Sequence, residues 1–160
     1  MQVARWRKCR AARPASPRVL AEKGRAYAIY LRTRTDVDTF SVRWTGSVTP
    51  ADDDTYTFHV VSNNGVRLWV NDQLLIDNPR DHKPVEDQGQ IRLAAGRKAT
   101  IRLEYYQAGN DALAKLLWSR TGSEQTVIAS HLLTPPDGTG TGLQAGYFAD
   151  RKLTKRILMR

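Results

Sequence analysis

FSVRWTGSVTPADDDTYTFHVVSNNGVRLWVNDQLLIDN, residues 40–78, decides the fold through its alternation. Phe40, Val42, Trp44 and Val48 fall on one side of an extended chain. Tyr56, Phe58 and Val60 repeat the pattern, as do Val66, Leu68 and Val70, with Arg67 and Trp69 pointing the other way. A period of two places alternate side chains on one sheet face, the mark of half-buried strands. The breaks carry turn chemistry. Thr49–Pro50 and the acidic run Asp52, Asp53, Asp54 separate two strands, and Asn71–Asp72 reads as a tight hairpin.

Further along, the alternation returns at Ile91 and Leu93, at Ile101, Leu103 and Tyr105, and at Leu116 and Trp118. Gly96 sits in a turn, Ala94 to Lys98, where a positive φ is needed. No run of helical period and length interrupts residues 40–130, so the expected class is all-β, an antiparallel sandwich or barrel. Residues 134–142, TPPDGTGTG, have linker composition. Tyr27 to Leu31 is an apolar run of strand length, and residues 1–26 read as a basic, disordered arm.

The net charge of +9 is unevenly distributed. Residues 1–34 hold ten Lys or Arg and one acid, giving +9; residues 35–150 hold ten bases and fifteen acids, giving −5; residues 151–160 add +5. A mildly acidic domain between basic ends argues against a nucleic-acid groove on the domain, leaving nucleic acid or an anionic surface as a partner for the arm alone. No apolar stretch approaches the ~18 residues of a membrane-spanning helix, and the N-terminus as given lacks the apolar core of a secretory signal. Cys9, the single cysteine, reads as an incidental thiol.

Residues 40–130 resemble the PA-fourteen (protective-antigen-like) domain. Phe40, Trp44 and Gly46 match its aromatic-x-x-x-Trp-x-Gly strand; Thr55, Tyr56 and Phe58 its Thr-Tyr-x-Phe strand; Gly65, Arg67, Leu68 and Val70 the next; and Ile76, Asp77 and Asn78 the strand end after a short turn. The segments from Gly89 to Ser119 match its closing strands in order. The family's opening Gly-Leu-x-x-x-Tyr-Phe strand has no match before Tyr27 and occurs at Gly142 to Phe148 instead. The organisation expected is therefore residues 1–26 arm, 27–133 β domain, 134–142 linker and 143–160 the start of a second, truncated repeat. The vacant edge of the first copy is filled either by Tyr27 to Leu31 or by the C-terminal segment folding back, since a nine-residue linker reaches about 30 Å.

The resemblance implies a non-catalytic module of a larger secreted or cell-surface protein that binds a glycan; a spacer without ligand is the alternative. In sugar-binding members a loop aspartate pair holds calcium, and the matching positions here are Asn63 and Asn64, with Asn110 or Asp111 offered by a second loop. Neutral amide oxygens hold Ca²⁺ less well than carboxylates, so calcium binding is expected to be weak or absent, and no other cofactor is expected. Asp77 joins Asn63, Asn64, Asn110 and Asp111 as a candidate ligand-binding residue. The family often has an aromatic near Pro79, and Pro79 removes that platform. Asp52 to Asp54 read as a solvated turn, and Asp81 and His82 as a loop pair. No catalytic residue is singled out.

Overall fold

The computed structural model describes residues 39–109 and 112–159. The basic arm, Tyr27 to Leu31, Asn110 and Asp111 lie outside the described residues. Within them the fold is two packed antiparallel sheets. The strands are β1 (Phe40–Val48), β2 (Asp54–Ser62), β3 (Val66–Val70), β4 (Gln73–Asn78), β5 (Val85–Leu93), β6 (Ala99–Gln107), β7 (Ala114–Arg120), β8 (Thr126–Val127), β9 (Leu133–Thr134), β10 (Gln144–Phe148) and β11 (Arg156–Met159). The larger sheet runs β11-β10-β1-β6-β3-β4, with β9 also on β1; the smaller runs β5-β2-β7-β8.

The residues that alternate inward meet between the sheets. Val42, Trp44, Leu68, Ile101, Leu103 and Tyr105 come from the larger sheet; Tyr56, Phe58, Val60 and Trp118 come from the smaller, and all are buried. Trp118 lies 4.7 Å from the Tyr56 ring and 6.2 Å from Phe58, so one indole joins two strands of aromatic packing. The turns follow the local chemistry. Asn71 and Asp72 take φ of 49° and 61°, the left-handed pair of a two-residue hairpin. Gly46 lies where a Cβ would come within 2.5 Å of the Thr134 carbonyl, so β9 approaches β1 closely only because that side chain is missing.

The second neighbour of β1 comes from the C-terminal segment. Strand β10 pairs antiparallel with it from Ser41↔Phe148 to Thr45↔Gln144, and β11 adds a further strand outside. Ala145 and Phe148 are buried there, and the Arg43 guanidinium lies 5.6 Å from the Phe148 ring centre. The Asp150 carboxylate ties the turn after β10 by accepting from the Lys152, Thr154 and Lys155 amides.

Two outcomes test this architecture. Trp44→Ala empties a buried site and is expected to destabilise by about 3–5 kcal/mol in denaturant unfolding; a near-neutral result would place Trp44 on the wrong face. Deleting residues 143–160 strips the β1 edge, so the thermal midpoint should fall and amide exchange in β1 should quicken. Unchanged midpoint and protection would mean that the hairpin contributes nothing to the sheet.

Candidate functional site

The loop after β2 is built from two asparagines with different tasks. Asn63 Oδ1 accepts from the Tyr105 hydroxyl at 2.9 Å and from the Leu113 amide at 2.7 Å. Asn64 takes φ of 72°, a conformation Asn tolerates better than most residues. It is buried, and its Nδ2 donates to Gln107 Oε1 at 3.1 Å. The single Tyr105 hydroxyl proton is shared between Asn63 Oδ1 and Gln107 Oε1, and Gln107 Nε2 donates to the Gly109 carbonyl. Burial pushes the Tyr105 phenol up to about 12, against smaller opposing contributions from its hydrogen bonds, so it remains a donor at any physiological pH. This network joins the β2–β3 loop to the β6–β7 loop.

The structure thus brings Asn63 and Asn64 together with Gln107, a residue the sequence reading did not single out. Asn110 and Asp111 lie outside the described residues. Asp77 belongs elsewhere, on the outward face of the larger sheet. Among the described residues no group of three or more His, Cys, Asp or Glu is arranged to hold a metal. Each member of the acidic run has a local partner: Asp52 pairs with Arg120, Asp53 accepts from the Ala95 amide, and Asp54 accepts from Thr55 and Thr121.

The outward face carries a charged row across four strands. The register sets Arg43 opposite Glu104, Glu104 opposite Arg67, and Arg67 opposite Asp77. Arg43 Nη2 lies 2.7 Å from Glu104, and Arg67 Nε lies 2.7 Å from Asp77. The Trp69 ring carries a cation–π contact from Arg102, at 3.9 Å.

Beside this row is an open groove of about 300 Å³, floored by Gly65, Val66, Glu104 and Tyr106 and walled by Arg67 and Arg151. The Tyr106 ring lies over Gly65, where a Cβ would stand 1.9 Å from Cε1. Its hydroxyl reaches the Pro79 carbonyl at 2.9 Å and Asp81 Oδ1 at 2.8 Å. That hydrogen bond is the main reason the Asp81 carboxyl titrates below its ordinary value; burial, then Asp81 itself, raises the Tyr106 phenol. Arg151 reaches across from the C-terminal hairpin, 3.3 Å from Asp81 Oδ2 and 4.9 Å from the Tyr106 ring centre. His82 does not pair with Asp81; its Nδ1 donates to the Lys83 carbonyl, and its Nε2 accepts from Asn78. An aromatic therefore does stand beside Pro79, supplied by β6. Alternation could have placed Glu104 and Tyr106 outward; no sequence signal tied Arg151 to them.

On the smaller sheet, buried His59 lies 2.9 Å from Glu86 and 3.0 Å from Ser119 Oγ, with Gln125 over both His59 and Glu86. Ser119 stands inside β7, opposite Thr57 of β2, so the cluster fastens three strands and the loop before β8.

Two antiparallel sheets with loops gathered at one end and a polar groove on one face define an all-β sandwich module. The chain belongs to the PA14 domain family, whose pattern matches residues 32–131. It is 44% identical over 128 residues to the anti-sigma-I factor RsgI3 of Acetivibrio thermocellus, covering 77% of this chain and 20% of that protein. A solved anti-sigma factor domain-containing protein superimposes with a TM-score of 0.59 at 44% identity, covering 75% of this chain and 43% of that one. The fold is also that of a PA14 sugar-binding domain from an RTX adhesin, with a TM-score of 0.52 at 20% identity over 59% of this chain and 55% of that one. The chain spans a fifth or less of the curated relatives it matches. No helix among the described residues is long and apolar enough to cross a membrane.

Gly65→Ala probes the groove floor. The added methyl must displace the Tyr106 ring, at an expected cost of about 1–3 kcal/mol in urea unfolding. Combining it with Tyr106→Ala should give less than the sum of the two losses; strict additivity would mean that the two positions do not meet.

Proposed function

We propose that this chain is a non-catalytic, glycan-binding module of a larger exported or cell-surface protein. The observation that carries this reading is the outward groove, where guanidinium and carboxylate groups alternate beside a half-buried tyrosine. A sugar hydroxyl both donates and accepts, so it can bridge Arg67 and Glu104 where a purely apolar or singly charged ligand gains less. The shared fold with a sugar-binding domain supports the reading, and the 44% identity to RsgI3 supports a parent protein of the anti-sigma kind. Residues 142–148 carry the Gly-Leu-x-x-x-Tyr-Phe pattern of a repeat's opening strand, and here Gln144–Phe148 pair with β1 of this domain.

Binding is proposed to be independent of calcium. The Asn63 side-chain oxygen already accepts two donors, and the Asn64 amide is buried against Gln107. A cation at this loop would have to displace those bonds and would gain no carboxylate from either residue. The same observation favours the second reading, a spacer whose family loop has become purely structural.

A microarray of plant and microbial cell-wall polysaccharides separates the two. The glycan reading expects binding that survives EDTA and falls with Glu104→Ala. A folded protein that retains no polysaccharide is the spacer outcome, and binding abolished by EDTA would overturn the calcium independence.

A further inference from the structure

We propose that Tyr106 is the sugar-stacking platform of the groove, and that Arg151 of the C-terminal hairpin covers its ring until a pyranose takes that place. This rests on the glycan-binding reading and adds to it the contact surface, the ligand class and a gatekeeping residue. Three observations fix the ring. One side of it lies against Gly65, where any side chain would collide with the ring. Its hydroxyl is held between the Pro79 carbonyl and Asp81, which anchors the ring's far end. Its other side borders the groove, where the Arg151 guanidinium stands 4.9 Å from the ring centre. A flat, immobilised ring needs no ordering to receive the C–H face of a pyranose, so it loses little entropy on binding.

The surrounding groups define the hydroxyl edge of the ligand. Arg67 and Glu104 line the groove beside the ring, and Asp81 stands at the ring's hydroxyl end. Donors and carboxylate acceptors thus flank one aromatic face, a combination that suits a neutral hexopyranose with both a C–H face and a row of hydroxyls.

The cover is loosely held. The Arg151 and Asp81 side chains are 44% and 55% exposed, and their separation of 3.3 Å is long for a charge-assisted bond. Exposed ion pairs and exposed cation–π contacts are weak, so a sugar can displace the guanidinium without unfolding the hairpin. Arg151 lies in the turn between β10 and β11, outside residues 32–131 that match the family pattern.

Isothermal titration of the full chain with an oligosaccharide released from the strongest-binding polysaccharide of the microarray tests the proposal. Tyr106→Ala should weaken binding about tenfold, and Tyr106→Phe should recover most of that loss because it keeps the ring. Arg151→Ala should bind about threefold tighter, since the ring is uncovered. Unchanged affinity in Tyr106→Ala overturns the platform while leaving glycan binding intact. So does a Tyr106→Phe loss equal to that of Ala, which would assign the contact to the hydroxyl. Tenfold weaker binding by Arg151→Ala (roughly the platform effect) overturns the cover, and this variant does not disturb the floor of the sheet. A wild-type chain that binds no glycan overturns both the function and this inference.

Discussion

Nine consecutive residue pairs lock β1 to β6, from Phe40↔Gln107 to Val48↔Ala99, and that register underlies both faces of the larger sheet. It sets Trp44 beside Leu103 inward and Arg43 beside Glu104 outward. Because side chains alternate with a period of two, a slip of one residue would send the core to solvent and the charged row into the sandwich. The burial of Val42, Trp44, Leu103 and Tyr105 therefore specifies the polar face as firmly as the apolar one. Strand β3 extends the same logic, with Leu68 inward beside Leu103 and Arg67 outward beside Glu104.

The loop end of the domain is held by hydrogen bonds from two tyrosines. Tyr105 and Tyr106 are adjacent in β6 and point to opposite faces. One anchors the half-buried amide of Asn63 and the buried amide of Gln107, and the other rests on Gly65 and reaches Pro79 and Asp81. Every buried side-chain donor or acceptor among the described residues has a partner, which matters because an orphaned polar group in a dry interior costs far more than a satisfied one returns. The β2–β3, β4–β5 and β6–β7 loops are thus positioned from one strand. The groove borders a hydrogen-bonded wall, and the exposed Arg151 lies over it.

The C-terminal hairpin changes the module in two ways. It gives β1 a second neighbour, which removes an open edge from the middle of the larger sheet. It also carries Arg151 to the groove through a turn that the Asp150 carboxylate holds together. The outer edge passes to β11, where Ile157 is 67% exposed, so the hairpin moves the unpaired edge outward without abolishing it.

Alternation and turn chemistry were enough to define the sandwich, the inward set led by Trp44, Phe58, Leu68, Leu103 and Trp118, and the Asn71–Asp72 hairpin. Each of these depends on the period of a strand or the φ of a turn, and both are local. Only the last part of β5 was legible, at Ile91 and Leu93. The stretch from Glu86 to Gln90 has no apolar side chain on either face, which an edge strand tolerates because it has one neighbour and little to bury. The site was less legible. Asn63 and Asn64 could be named from the family pattern, but their partners Tyr105, Gln107 and Leu113 lie some 40 to 50 positions away in the chain. Tyr106 and Arg151 likewise meet only through the pairing of β1 with both β6 and β10. Local sequence determined which residues form strands and which way they face; only the tertiary structure decided which outward side chains stand together, because the hydrogen-bonded order of strands is not written in the period of any one of them.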